Sequence, residues 1–162
     1  MNTRSAVSIA LSNLIFTILQ PGLVAGYFPW LIGRDEFIYR YAQPFTTQQH
    51  LGIGISAVGF VIMISCIVRF AVEGKGTLSP ADPTKRLVIK GLYKYSRNPM
   101  YVGVMGLLIG ESVFTQSSAL WVYSIMIFSV FNLYIVFFEE PRLRRDFGKE
   151  YGEYCMKVRR WM

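Results

Sequence analysis

Two carboxylates stand side by side where the last apolar run of the chain ends: Glu139 and Glu140, directly before Pro141. Arg97, Asn98 and Pro99 open an earlier apolar stretch. A charge at mid-membrane costs ~2.5–3.5 kcal/mol on insertion scales and less near the interface, so polar groups at span ends are the ones free to do chemistry. If the two stretches between Pro99 and Glu139 form a helical hairpin, both of its ends return to one membrane face and the carboxylates come near the arginine. One reading of the double Glu is a pair that marks the interface and snorkels to water. The other, on a side otherwise ruled by positive charge, is a site for a bound cationic group. Arg97 is the candidate for orienting a carboxylate; it can equally pair with Glu139 or with phosphate headgroups. His50 reads as an interface residue, Asn132 as an interhelical hydrogen bond within two turns of Glu139, and Glu111 as structural.

The elements that must position these groups are legible as uncharged runs. Ser5 to Gly33 is 29 residues without a charge, longer than the ~7–15 residues of a signal-peptide core, and reads as a retained span. Gln20-Pro21-Gly22 should kink it, and Gly22 and Gly26 form a small-xxx-small pair. Leu51 to Val68 is a second run, with Gly52, Ser56 and Gly59 on one face. Ser112 to Phe138 gives 27 uncharged residues, enough to span. Asn98 to Gly110 gives only 13, roughly 20 Å of helix against a ~30 Å hydrocarbon core. Extended to Phe114, it places Glu111 near the far interface. The spacing predicts a hairpin of 99–114 and 118–138, closed by Thr115-Gln116-Ser117-Ser118, with Gly103, Gly106 and Gly110 letting its two helices approach closely. In the tail, Leu143, Phe147, Tyr151, Tyr154, Cys155, Val158 and Met162 recur at intervals of three and four, the stripe of an amphipathic helix lying on the membrane or folded over the bundle.

Composition agrees. The 162-residue chain is 52% hydrophobic and only 17% charged, with mean hydropathy +0.35; soluble chains carry about 25% charged residues. The net charge of +7 is not a nucleic-acid footprint, because the basic residues collect beside apolar runs. With four spans, 15 of the 17 Lys and Arg fall on one side, in the N-terminus, in 69–97 and in the tail, and two, Arg34 and Arg40, fall on the other. The positive-inside rule then makes both termini cytoplasmic. One His and two Cys, Cys66 and Cys155, do not make a four-ligand zinc site without carboxylates, and their separation is neither a disulfide framework nor a CxxC pair. Both read as free thiols, and no metal is expected.

The stretch 91–103, G-L-Y-x-Y-x-R-N-P-M-Y-x-G, then the hairpin, then E-E-x-x-L-x-x-x-F-G-x-E-Y at 139–151, resembles the isoprenylcysteine carboxyl methyltransferase-like membrane proteins, relatives of the phospholipid N-methyltransferases. The resemblance covers roughly 74–158. It implies methyl transfer from S-adenosylmethionine, bound at the cytoplasmic side and enclosed by loop, hairpin and tail, with S-adenosylhomocysteine as product. Carried over by position, Lys85, Arg86, Leu87, Val88 and Tyr93 line the cofactor. Asn98, Pro99, Met100 and Tyr101 hold it beside the hairpin, Glu139 takes polar groups of its amino-acid or ribose part, and Glu140 is the second candidate. Arg97 is the catalytic candidate. Two positions depart from the pattern. Asn98 stands where many members have His, and Asn is no general base near neutral pH. Ile135 stands where prenylcysteine carboxyl methyltransferases carry an Arg that binds the substrate carboxylate.

The expectation is therefore an all-α polytopic membrane protein, one domain over 1–162, with spans at 5–33, 51–72, 99–114 and 118–138. A cofactor loop covers 73–98 and an amphipathic cytoplasmic tail 139–162. The expected function is S-adenosylmethionine-dependent methyl transfer, carboxyl O-methyltransferase-like, at the cytoplasmic membrane face to an isoprenylcysteine-type carboxylate or other small lipophilic acid, thiol or amine that enters from the bilayer. The location is a membrane, bacterial and inner, with lipid as a partner and nucleic acid not one. Two rivals stand beside it: a small four-helix transporter, which would want an ionisable group at mid-membrane that the first two spans lack, and a non-catalytic membrane scaffold.

Overall fold

A computed structural model describes residues 19–73 and 87–161 of the chain. The opening of the first span (5–18), most of the cofactor loop including Lys85 and Arg86, and Met162 lie outside the described residues. Every regular element among the described residues is helical. Helix α1 covers 19–32, α2 Arg34–Tyr41, α3 Thr47–Glu73, α4 Pro99–Thr115 and α5 Ser118–Tyr134; α6, Glu140–Lys157, continues α5 through a π-helical turn at Ile135–Glu139. A single 3₁₀ turn, Gly91–Lys94, precedes α4.

Two stretches, Thr47–Arg69 and Ser118–Lys157, are long and apolar enough to cross a membrane, with mean hydropathies of 2.5 and 2.0. Only 22% of each apolar window is buried in the fold. Val58, Val61 and Val68 on α3 and Val122, Ile125 and Leu133 on α5 are exposed. A soluble core helix would hide such residues, and exposed apolar faces of this kind suit lipid. Helix α4, at 17 residues, reaches only about 26 Å.

The frame of the molecule is the seam between α3 and α4, and glycine makes it. A Cβ built on Gly59 would come within 2.7 Å of the Gly103 carbonyl oxygen and the Leu107 nitrogen; one on Gly103 within 2.7 Å of the Met63 nitrogen; one on Gly110 within 2.6 Å of the Gly52 carbonyl oxygen. The two backbones thus run antiparallel in direct contact, Gly52 and Gly59 on α3 and Gly103 and Gly110 on α4 each standing seven positions apart. This corrects the sequence expectation: Gly103, Gly106 and Gly110 face α3, not their hairpin partner α5. Helix α5 packs on α4 through side chains instead, with Ser112 Oγ 3.2 Å from Ser124 Oγ and Leu108 and Leu120 fully buried.

The first span also differs in detail. The helix passes through Pro21 and Gly22 and breaks its register just after them, in a π-helical turn at Leu23–Tyr27 with Ala25 out of the helical region (φ −111°, ψ 18°). Such a turn disturbs the carbonyl ladder, and the Val24 carbonyl accepts from Tyr123 Oη of α5 at 2.9 Å. Gly22 and Gly26 make no close approach among the described residues. The segment between the first and second uncharged runs contains α2. That helix lies beneath the hairpin tip, where Arg40 Nε donates to the Thr115 carbonyl (3.3 Å), Arg40 Nη2 to Gln116 Oε1 (3.1 Å), and Ser117 Oγ to Glu36 Oε1 (3.0 Å). A guanidinium at the C-terminus of α4 answers both an orphan carbonyl and the negative end of the helix dipole. The tip itself is Gln116, left-handed at φ 58°, and Ser117.

Candidate functional site

At the other end of α4, Pro99 fills the first helical position and Asn98 precedes it. Proline is at no disadvantage there, because its missing N–H would have had no partner. The 3₁₀ turn before it begins at Gly91 with φ 61°, where a Cβ would collide with the Arg69 guanidinium. This turn buries Tyr93 against Cys66 and Val88, and Met100 packs on the same cluster. Burial pushes the Tyr93 phenol up, so it stays neutral. Cys66 and Cys155 are free thiols.

The π-helical turn Ile135–Glu139 sends the two neighbouring carboxylates to different partners. Glu139, half-buried, accepts from Tyr101 Oη at 2.9 Å, and the Tyr101 ring lies 4.7 Å from that of Phe131. Glu140, buried, takes a bidentate pair from Arg160, Nε at 2.7 Å and Nη2 at 3.1 Å, and a further contact from Arg97 Nη1 at 3.2 Å. The expectation that both carboxylates meet Arg97 thus holds in direct contact for Glu140 alone. Burial alone would raise the Glu140 carboxyl, but the Arg160 hydrogen bonds and the Arg97 and Arg160 charges hold it below the ordinary value of 4.5. Arg97 Nη1 also donates to Cys155 Sγ (2.8 Å) and Tyr151 Oη (3.4 Å).

The tail supplies the third wall. Its predicted stripe is real: Tyr151, Tyr154 and Val158 form a buried cluster with Leu87, Leu143, Phe147 and Cys155. Gly148, at φ 48°, bends α6 so that its second half returns over the loop, and Tyr154 Oη donates to the Tyr93 carbonyl at 2.6 Å. The last residues then cross the site as a strap. The Arg159 carbonyl accepts from Arg97 N (2.9 Å), and the Arg160 carbonyl accepts from Asn98 Nδ2 (3.0 Å) and Ser96 Oγ (3.2 Å). Trp161 Nε1 donates to Asn132 Oδ1 at 3.1 Å, with its ring 5.2 Å from Phe128. Asn132, expected to bond between helices, bonds to this strap.

The structure therefore brings together Arg97, Asn98, Pro99, Tyr101, Glu139 and Glu140 around the base of α4, with Val88, Tyr93 and Met100 in the layer beneath and Leu87 under the tail. Sequence reasoning missed Arg160 and Trp161, whose role depends on a chain reversal at Gly148, and it missed Arg142. Arg142 Nε and Arg97 Nε are both buried without a hydrogen-bond partner, and the Arg142 charge acts on Glu139. Glu139 thus keeps acceptor capacity for a cationic group near the Arg142 charge, while the Nε groups of Arg97 and Arg142 are donors that the fold leaves unanswered. Ile135, at the position where an arginine would bind a substrate carboxylate, is fully buried.

Residues 47–150 match the family described as phospholipid methyltransferase, which includes the loop motif, the hairpin and most of the tail motif. The family belongs to the isoprenylcysteine carboxyl methyltransferase-like group of membrane methyltransferases, as the two motifs implied. An uncharacterized protein of Haemophilus influenzae is 33% identical over 63 residues, 39% of this chain and 100% of that relative. No solved structure matches the chain.

Proposed function

The chain belongs to the phospholipid methyltransferase family of membrane methyltransferases, and from that premise we propose that it transfers a methyl group from S-adenosylmethionine to a lipophilic acceptor at the cytoplasmic face. Four spans of one domain, α1, α3 and the α4–α5 hairpin, carry this reading, with α6 and the strap on the cytoplasmic side of a bacterial inner membrane. The observation that supports it most is the set of unspent valences at the base of α4: Glu139 with Tyr101 as its partner, and the buried Nε groups of Arg97 and Arg142.

The cofactor supplies an electrophilic methyl group on a sulfonium centre. Glu139 holds the amino-acid ammonium or the ribose hydroxyls, and Arg97 orients a carboxylate of cofactor or acceptor. Tyr93, with Leu87, Val88 and Met100, offers an apolar wall for the adenine, and Asn98, Pro99 and Tyr101 fix the approach beside the hairpin; Lys85 and Arg86, outside the described residues, keep the cofactor-binding role that the resemblance implies. Glu140 binds no ligand in this account but ties Arg97 to the strap. Methyl transfer to an anionic acceptor needs alignment and exclusion of water more than proton transfer, which is consistent with Asn98 where a basic His is common. The acceptor is a lipophilic acid, thiol or amine that reaches the site from the bilayer. With Ile135 in place of an arginine, a prenylcysteine carboxylate would have to be met by Arg97 or Arg142.

Calorimetry with S-adenosylhomocysteine on protein in lipid nanodiscs tests this. One saturable site is expected, weakened roughly 10- to 100-fold in Glu139→Ala, the loss of a charged hydrogen bond worth about 1.5–3 kcal/mol. A folded wild type that binds nothing would remove the enzyme reading and favour a scaffold.

A further inference from the structure

The opposite end of α4 carries a second set of unspent groups. A cavity of about 410 Å³ lies between α2, α3 and α4, walled by Phe37, Tyr41, Phe60 and Phe114 with Ser56 at its side. Glu111 faces into it, and its Oε2 is buried with no hydrogen-bond partner. Glu111 lies 12 residues beyond Pro99, roughly 18 Å along the helix, so this cavity is separate from the site described above.

The neighbouring cations do not answer it. Arg40 is spent on the Thr115 carbonyl and Gln116, with its guanidinium 5.5 Å from the Tyr39 ring. Arg34 lies over the Trp30 ring at 5.2 Å. Among the described residues, no ion pair includes Glu111, and no cluster of His, Cys, Asp or Glu could hold a metal there. A lone carboxylate in an apolar frame is costly unless it is paired. Such a group either holds a proton or is paired by a cation, and a ligand that pairs it here carries positive charge and suits four aromatic walls. A quaternary or alkylated ammonium does so, because its diffuse charge is attracted to ring faces as well as to the carboxylate. The volume falls in the ~300–1,000 Å³ range of small-molecule sites, and Phe60, exposed on α3, leaves a way out toward lipid for a chain.

We propose that this cavity binds the head of a single-chain cationic amphiphile, an alkylammonium, with Glu111 as its counter-ion and the rings of Phe37, Tyr41, Phe60 and Phe114 lining it. The alkyl tail leaves between α2 and α3 into the bilayer. This site stands whether or not the methyl-transfer reading holds.

Equilibrium binding of labelled dodecyltrimethylammonium to nanodiscs of neutral lipid, with empty nanodiscs subtracted, tests it. Expected is one saturable site per chain, at least tenfold weaker in Glu111→Gln and severalfold weaker in Phe37→Ala, with an uncharged dodecyl ether competing at least tenfold less well. Retained S-adenosylhomocysteine binding or an unchanged melting temperature certifies each variant as folded; should Glu111→Gln fail to fold, Phe37→Ala and the uncharged competitor still decide. Equal binding by Glu111→Gln, or equal competition by the ether, would mean that an acyl chain fills the cavity and would overturn the proposal. The absence of a saturable site in the wild type would do the same.

Discussion

The two ends of α4 handle charge in opposite ways. At the Pro99 end, Glu140 is gripped by Arg97 and Arg160, and the pair is built into a network that runs through Cys155, Tyr151 and the strap. At the Thr115 end, Arg40 is turned to a helix terminus and Glu111 is left among aromatic rings. The first end uses ion pairs to hold chain segments together and leaves Glu139 and two guanidinium N–H groups over. The second holds its segments with rings, Tyr41 and Phe45 lying 5.0 and 5.6 Å from Phe114, and leaves a carboxylate over. In both, the informative atom is the one the fold does not use.

The largest expected effect removes the frame common to both ends. Gly103→Leu drives a side chain into the α3 backbone. Overpacking costs about 1–3 kcal/mol in cores that can adjust, and here backbone atoms, which adjust least, are the obstacle. A collapse of the melting temperature in detergent is expected, with ligand binding lost at both ends.

Next come the neighbouring carboxylates, which should separate stability from binding. Glu140→Gln strips two arginines of their partner. Breaking a buried pair costs ~3–5 kcal/mol, discounted here to about 1–3 because Arg160 is partly exposed. Glu139→Gln should melt close to wild type yet bind S-adenosylhomocysteine poorly. Equal effects on both properties from both variants would erase the distinction drawn between them.

The same contrast has a pH signature. Glu140 has a depressed folded-state pKa, so its stabilisation is present above the ordinary value of 4.5 and is lost as pH falls from there through the lowered value. The wild-type melting temperature should therefore drop more steeply than that of Glu140→Gln below about pH 4.5. Parallel curves would contradict the network.

Smaller effects lie at the margins. Trp161→Ala loses an aromatic contact of about 0.5–1.5 kcal/mol and should speed release of S-adenosylhomocysteine a few fold, read by stopped flow. Arg40→Ala loses a helix-terminus contact of about 0.3–1 kcal/mol; it should lower the melting temperature slightly and leave that release rate unchanged.

How far the sequence reached follows from which contacts leave a local signature. Uncharged runs and turn residues placed α3, α4, α5 and the tip at Gln116–Ser117 to within a few residues, and the three-four stripe from Leu143 to Val158 identified the buried face of the tail. Helix α2 went unseen because 34–46 mixes charge with aromatics and has no apolar run. Its face, Phe37 and Tyr41, is defined only by the Phe114 it packs on. The glycines of α4 were rightly read as a close-approach face, but adjacency in sequence pointed to α5, whereas the matching small residues, Gly52, Ser56 and Gly59, lie on α3. The two π-helical turns have no residue code. The strap holds the loop through the Arg159 and Arg160 carbonyls, which any residue would supply, so only the chain reversal at Gly148 reveals it. At the site, the motif residues were legible while Arg142 was not, because its interest lies in an N–H that lacks a partner.

The two ends of α4 are told apart by where the methyl donor binds, which the proposed function puts at the Pro99 end. Hydrogen exchange of the nanodisc-embedded protein, with and without saturating S-adenosylhomocysteine, tests it most directly. Added protection is expected in 85–101 and 139–161, with 34–41 and 107–118 unchanged. Protection centred on 34–41 and 107–118, or none anywhere under saturation, would contradict it.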